Sequence, residues 1–140
     1  MIFLAQTDTT AGFLSKNLNE LNAIKRRDLD QRCLITTAKF SELKKFTRVP
    51  NAFKNFVRRV KKTTIIYPNL QSIRVVKNFN HEKFLLKNGW FYSTSANLHG
   101  KNFDEIWAKN VADEIVDKKF WQDKPSKIFK ISRSKIKKIL

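Results

Sequence analysis

Cysteine and long apolar segments are almost absent from this chain of 140 residues. Its single cysteine, Cys33, excludes an internal disulfide and a cysteine-based zinc site. No run of about eighteen apolar residues occurs, which argues against a membrane-spanning helix. The alternation of Lys and Ile near the C-terminus gives no clear amphipathic helix, so we expect no membrane partner. The first residues carry no charged leader and no long apolar segment, so we expect a cytoplasmic protein.

Acidic residues are scarce as well, because 12 Asp and Glu stand against 29 Lys and Arg, for a formal net charge of +17. Such a charge attracts polyanions and steers anionic ligands, although a coding bias toward lysine would produce part of the same excess. No acid occurs between Leu43 and Lys62. Within that segment Lys54, Arg58 and Arg59 fit either a solvated helix face or part of an RNA-binding surface.

Short apolar runs alternate with segments of helical periodicity, which predicts an α/β or α+β sheet domain. Predicted strands cover residues 2–5, 33–36, 63–67, 72–76 and 90–92, with a late edge strand at 128–131. We expect Gly12 to give the loop after the first strand freedom to turn. Ser15 is predicted to cap a helix that ends near Ile24, and Asn102 to open a capping box before the last helix. The length and the 41% hydrophobic content favour one domain with a real core.

Three polar segments border these apolar runs. They are Thr-Asp-Thr-Thr-Ala-Gly-Phe at 7–13, Lys-Arg-Arg at 25–27, and Ser-Thr-Ser-Ala-Asn-Leu-His-Gly at 93–100. Hydroxyl, amide and cationic groups bind phosphate and carboxylate oxygens. Taken alone, the basic triplet also fits a solvated helix end and the third segment an ordinary turn. Together they predict an anion site if the fold brings Lys25, Arg27, Ser95 and Asn97 to one pocket.

In this order, the segments resemble the motifs of the Sua5/YciO/YrdC family of threonylcarbamoyl-adenylate synthases. Lys25 and Arg27 match the family's Lys-x-Arg motif, and Ser95 and Asn97 match its Ser-x-Asn motif. The opening Thr-Asp-Thr is matched at residues 7–9, and the Arg-Val strand at 74–75. The chain departs from the family's pattern at Ala11, where the family has Tyr, at Asp28, where it has Pro, and at His99, where it has Ser.

The resemblance implies one YrdC-like domain over residues 1–140, with a twisted mixed sheet flanked by helices and a basic concave cleft. It also implies synthesis of threonylcarbamoyl-AMP from L-threonine, bicarbonate and ATP, for the threonylcarbamoyladenosine modification of tRNA. A separate transfer complex would then be a partner. ATP with Mg²⁺ would be a substrate, with no tightly bound cofactor and no metal ligand supplied by the protein.

The same resemblance assigns roles to individual residues. Lys25 and Arg27 would be the catalytic residues, because fixed cations offset the negative charge that develops on the reacting oxygens. The predicted nucleotide-binding residues are Ser93, Ser95, Asn97 and Thr64. The predicted threonine-binding residues are Thr7, Thr9, Thr36 and Arg74. A second interpretation is a catalytically weakened relative that binds nucleotide and double-stranded RNA or tRNA through its basic face, with Lys54, Arg58 and Arg59 in the RNA contact.

Overall fold

Nine strands and four α helices form within residues 1–77, 80–98 and 100–140, which are the residues that the computed structural model of the chain describes. The chain divides into two compact units. Unit 1 contains Met1–Cys33 and Phe91–Lys124, and unit 2 contains Leu34–Trp90 and Pro125–Leu140. The expectation of a single domain stays a prediction. None of the helices in the described part of the chain combines the length and the apolar character needed to cross a membrane.

Unit 1 is built on a mixed sheet. Its elements are β1 Phe3–Gln6, β2 Ala11–Ser15, α1 Leu18–Ile24, β6 Phe91–Ser95, α4 Glu105–Val111 and β7 Glu114–Ile115. The strand order is β7-β1-β2-β6, with β7 parallel to β1 and the other pairs antiparallel. Helix α1 packs against β2 and β6. Leu4 and Phe13 are fully buried, and the Phe13 ring meets Trp107 edge to face at a centroid distance of 5.6 Å.

Unit 2 likewise contains both parallel and antiparallel strand pairs. Its strands are β3 Leu34–Thr37, β4 Thr63–Ile66, β5 Ser72–Val75, β8 Lys127–Ile131 and β9 Ile136–Lys138. Its α helices are α2 Lys54–Arg59 and α3 Asn80–Asn88, and 3-10 helices cover Phe40–Lys45 and Asn51–Phe53. The order is β3-β5-β4-β8-β9, with β3–β5 and β4–β8 parallel and the other pairs antiparallel. The predicted α/β class with mixed pairing is therefore confirmed.

Gly12 and Ser15 do not serve as predicted, because both belong to β2. The turn is made by residues 7–10, and Gly12 lies in β2, which pairs with β1 on one side and β6 on the other. A Cβ on Gly12 would stand 2.8 Å from the Thr7 methyl carbon and 3.3 Å from the Thr94 carbonyl oxygen. Glycine is thus needed for close packing and not for turning. The helix cap is Asn17, whose side chain accepts from the Glu20 amide.

Two further predictions are wrong, one about a helix cap and one about the place of a strand in the sheet. The last helix is capped by Asp104, which accepts from the Trp107 amide at 3.1 Å, and not by Asn102. The late strand β8 is not an edge, because it pairs with β4 on one side and with β9 on the other. Long-range pairing decides both strand neighbours, and local alternation of side chains carries no information about it. His99 lies outside the described residues.

Candidate functional site

The Lys25 ammonium lies against the carboxyl end of β6. Lys25 is the C-cap of α1, and only 3% of it is exposed. Its Nζ donates to the Ser95 carbonyl oxygen at 2.8 Å, with longer contacts to Ser95 Oγ at 3.4 Å and Asn97 Oδ1 at 3.5 Å. The end of a helix and the end of a strand seventy residues later thus place one cation beside a hydroxyl and a carboxamide.

The pKa of Lys25 is lowered from its ordinary value of 10.5 to about 8, first by burial and then by the positive charge of Arg27. The nearby Cys33 sulfur acts in the opposite direction. Taking a cation out of water disfavours its charged form unless an anion compensates. Within the described ranges, no carboxylate forms a salt bridge with Lys25 or Arg27. The electrostatics therefore favour an anionic ligand at this position.

Arg27 is half-buried and held by three neutral groups. Its Nε donates to Asn22 Oδ1 at 2.7 Å, and its Nη2 contacts Cys33 Sγ at 2.9 Å and Thr94 Oγ1 at 3.4 Å. Asn22 is completely buried, and its Nδ2 also donates to the carbonyl oxygens of Leu29 and Gln31 at 2.9 and 2.8 Å. One buried amide therefore fixes both the guanidinium and the loop that follows it.

The Cys33 thiol is buried and contacts the Arg27 guanidinium. Burial raises the pKa of Cys33, while the nearby charges of Arg27 and Lys25 act in the opposite direction. At neutral pH the thiol is thus a neutral neighbour of the two cations.

The Thr7 hydroxyl holds the β1–β2 turn together. It donates to the Thr10 carbonyl oxygen at 2.7 Å and accepts from the Thr9 and Thr10 amides at 3.3 Å each. The Thr9 hydroxyl lies 3.4 Å from it. Ser93, a buried residue of β6, shares a strand face with Ser95 because side chains alternate along a strand. The ligand contacts assigned to these residues stay predictions.

Unit 2 contains a second cluster, centred on the buried Arg74 guanidinium. Arg74 Nε donates to Thr64 Oγ1 at 3.0 Å, and Nη2 donates to Ser126 Oγ at 2.9 Å. Thr36 and Thr64 lie opposite Arg74 on the two neighbouring strands, β3 and β4. All four residues are at most 8% exposed. The pairing of β3, β4 and β5, together with Ser126 just before β8, therefore brings one cation and three hydroxyls together.

The three basic residues proposed from sequence as an RNA contact lie on α2, also in unit 2. Lys54 and Arg58 line a cavity of about 500 Å³, whereas Arg59 is exposed on the same helix and is not one of its lining residues. In the described ranges, no group of three or more His, Cys, Asp or Glu side chains is placed to hold a metal ion.

No protein-family model matches the sequence, and no match is found among curated proteins. Solved structures do match. A variant of P. abyssi Sua5 superposes with a TM-score of 0.78 at 16% identity, over 96% of this chain and 50% of that one. P. abyssi Sua5 complexed with L-threonine gives 0.74 at 17% identity, over 93% and 47%. E. coli YciO gives 0.73 at 17% identity, over 99% and 81%.

The chain has the fold of Sua5 and YciO. The fold expected from the motifs is thereby confirmed, and at these identities the likeness concerns the fold alone. The chain spans about half the length of the Sua5 chains. Full-length HypF in its phosphate- and nucleotide-bound form also matches, with a TM-score of 0.75 at 12% identity, over 99% of this chain and 26% of that one. This Sua5-like fold is therefore not restricted to one kind of protein.

Sequence reasoning missed Asn22 and Ser126, which complete the two clusters. Asn22 follows Leu18 by one helical turn, so its place on the buried side of α1 is readable from periodicity. Ser126 directly precedes β8, so it borders an apolar strand as the three polar segments do. Its partners Arg74 and Thr64 lie more than fifty residues earlier in the chain, so their contact follows only from the fold.

Proposed function

We propose that this chain is a threonylcarbamoyl-AMP synthase of the Sua5/YrdC type. The observation that carries the proposal is the Lys25 ammonium, buried within reach of Ser95 and Asn97, the polar members of the Ser-x-Asn motif. Two fold neighbours add support, since Sua5 was solved with L-threonine and HypF with phosphate and nucleotide. The substrates would be L-threonine, bicarbonate and ATP.

The proposed reaction has two steps. The threonine amine attacks bicarbonate carbon, a C–N bond forms, and water leaves to give a carbamate. A carbamate oxygen then attacks the α-phosphorus of ATP, and pyrophosphate leaves as the bond between the α-phosphorus and the bridging oxygen breaks. Both steps gather negative charge on oxygens, and positioned cations can stabilise that charge without a covalent intermediate.

Lys25 and Arg27 would supply the positive charge in unit 1. A phosphate that meets the Lys25 ammonium restores the stabilisation that burial removes, so binding raises the pKa of this lysine again. Ser95 and Asn97 would donate to nucleotide oxygens, and Ser93 and Thr64 are further proposed nucleotide contacts. Mg²⁺ would arrive with ATP as part of the substrate, since phosphates and waters are its usual ligands.

Thr7, Thr9, Thr36 and Arg74 are the proposed threonine contacts. The Arg74 guanidinium can bind a carboxylate in a bidentate manner, and its hydroxyl partners fix its plane. The Thr7 hydroxyl is already committed to the turn, so its contribution would be to hold the shape of the loop. The tRNA modification, the transfer complex and the cytoplasmic location remain part of the proposal.

One observation favours the second candidate, a relative of weakened activity that binds nucleotide and RNA. The Arg27 guanidinium is tied to three groups of its own unit. A catalytic arginine has to exchange such contacts for substrate oxygens, at a cost in rate. Nucleotide binding would survive under this candidate, and pyrophosphate release would not.

The discriminating experiment measures pyrophosphate release from ATP by the purified chain. We expect release only when threonine and bicarbonate are both present, and none in Lys25→Ala or Arg27→Ala. Arg26→Ala is the matched control, because Arg26 is an exposed cation between the two and loses the same charge. Absence of release with every substrate combination overturns the synthase. Retained ATP binding in that case supports the weakened relative.

A further inference from the structure

The cavity of unit 2 that Lys54 and Arg58 line is formed by the first 3-10 helix, the loop after it, and α2. Its volume is about 500 Å³. Four apolar side chains contribute to it: Leu43 and Val57 are buried, while Phe40 and Val49 are half-buried. We call this surface the basic groove. Its apolar floor distinguishes it from a merely charged patch.

The other side chains of the basic groove are chiefly cationic. Lys44, Arg48, Lys54 and Arg58 are exposed and line it, and no acidic residue does. Among the described residues, no carboxylate forms a salt bridge with any of the four. Four like charges around one concavity repel each other and concentrate anions there.

The cationic surface continues beyond this cavity. A neighbouring cavity of about 420 Å³ shares Arg48 and Asn51 with it and reaches Arg133 in the turn between β8 and β9. A ligand with several anionic groups in a row therefore fits better than one with a single charge.

We infer that the basic groove binds a single strand of nucleic acid, with unstacked base faces on the apolar floor and phosphates on the four cations. Grooves for single strands combine these two features, a positive track for the backbone and an apolar or aromatic platform for bases. The inference does not rest on the synthase proposal. It shares Lys54 and Arg58 with the RNA contact of the second candidate but uses none of the residues proposed for the synthase, so loss of pyrophosphate release would leave it standing.

Competing anions fit the basic groove less well. Duplex RNA keeps its base faces stacked and presents phosphates and hydroxyls, so it leaves the apolar floor without a partner. An anionic membrane surface is broad and contacts exposed faces, whereas this floor lies inside a concavity. An acidic peptide would satisfy the cations, but it would not need the aromatic ring of Phe40.

The test measures fluorescence anisotropy of a labelled single-stranded RNA of about twelve nucleotides, a length within the usual site sizes. We expect the double variant Lys54→Ala/Arg58→Ala to bind at least about tenfold more weakly. The slope of log affinity against log salt should fall by about 1.4, which corresponds to two lost phosphate contacts on a single strand. Lys83→Ala/Lys87→Ala is the matched control, since both residues are exposed on α3 and the net charge changes equally.

A third variant tests the floor. Phe40→Leu keeps an apolar side chain but removes the aromatic face, so affinity should fall at least about fivefold while the salt slope stays unchanged. Thermal unfolding of each variant identifies a change that simply destabilises the fold. Equal losses in the α3 control, or equal affinity for a matched RNA duplex, overturn the inference. So does binding of poly-glutamate or anionic vesicles in place of RNA.

Discussion

If Lys25 binds the phosphate of a nucleotide, as we propose, nucleotide affinity should depend on pH in a range where an ordinary lysine would have no effect. Burial lowers the pKa of this lysine to about 8. The ammonium is therefore about nine tenths protonated at pH 7 and about one tenth protonated at pH 9. If it binds phosphate, ATP affinity should be nearly constant up to about pH 7.5. It should then fall by about tenfold per pH unit above 8, until the raised pKa of the complex is reached.

Isothermal titration of ATP binding between about pH 7.5 and about pH 9.5, at constant ionic strength, measures this dependence. Lys25→Gln is the control, since it keeps a polar side chain but cannot carry the charge, and we expect weaker binding with no break near pH 8. The Cys33 thiol does not produce the break, because burial raises its pKa above the ordinary 9.0.

Two results would refute this reasoning. Affinity that stays flat through pH 9 would mean that the ammonium does not contact the phosphate, or that its pKa is ordinary. A break that persists in Lys25→Gln would assign the titration to another group. In either case the argument from the lowered pKa of Lys25 fails.

The lowered pKa of Lys25 affects folding stability in the opposite direction from ATP affinity, because stability should rise with pH. Between about pH 8 and pH 10.5 the unfolded chain holds a proton that the folded Lys25 has lost, so the free energy of unfolding rises with pH in that window. The rise is at most about 3.5 kcal/mol, at about 1.4 kcal/mol per pKa unit. Urea unfolding at both ends of the window should show this rise in the natural chain and not in Lys25→Gln.

Two packing predictions follow from unit 1. Gly12→Ala forces a methyl group against the Thr7 methyl and the Thr94 carbonyl oxygen, so we expect a loss of about 1–3 kcal/mol in the free energy of unfolding by urea. Asn22→Ala removes the amide that bonds Arg27 and two loop carbonyl groups, which should cost about 1–3 kcal/mol and weaken ATP binding as Arg27 loses its anchor. Unchanged stability in either variant would contradict the packing described for that residue.

Much of the fold could be predicted from local sequence. Apolar β-branched runs gave the positions of β3, β4 and β5 to within one or two residues. Gly89, with its positive φ, directly follows the last residue of α3, as is usual for glycine at a helix end. The strand β2 was missed because Gly12 lies in it, and glycine is usually a sign of a turn. Glycine is needed at this position because Thr7 and the Thr94 carbonyl group approach it closely, and no local sequence pattern predicts that approach.

The candidate site also has features that the sequence predicts and features that it does not. The Lys-Arg-Arg triplet was predicted to lie at the end of the first helix, and Lys25 is the C-cap of α1. The contacts of Arg27 were not predictable, because they depend on the side chain of Asn22 and on a thiol in the next loop. The predicted roles of these residues await the binding and pyrophosphate measurements.

The sequence by itself determined the α/β alternation, the excess of positive charge and the kinds of polar groups beside the apolar runs, because these depend on composition and on neighbours a few residues apart. Only the tertiary structure decided that the Lys25 ammonium meets Ser95, and that Arg74 meets Ser126. Those contacts join residues seventy and fifty-two positions apart. Strand pairing and core burial fix such distances, and they also remove the water that would otherwise keep the pKa of Lys25 at its ordinary value.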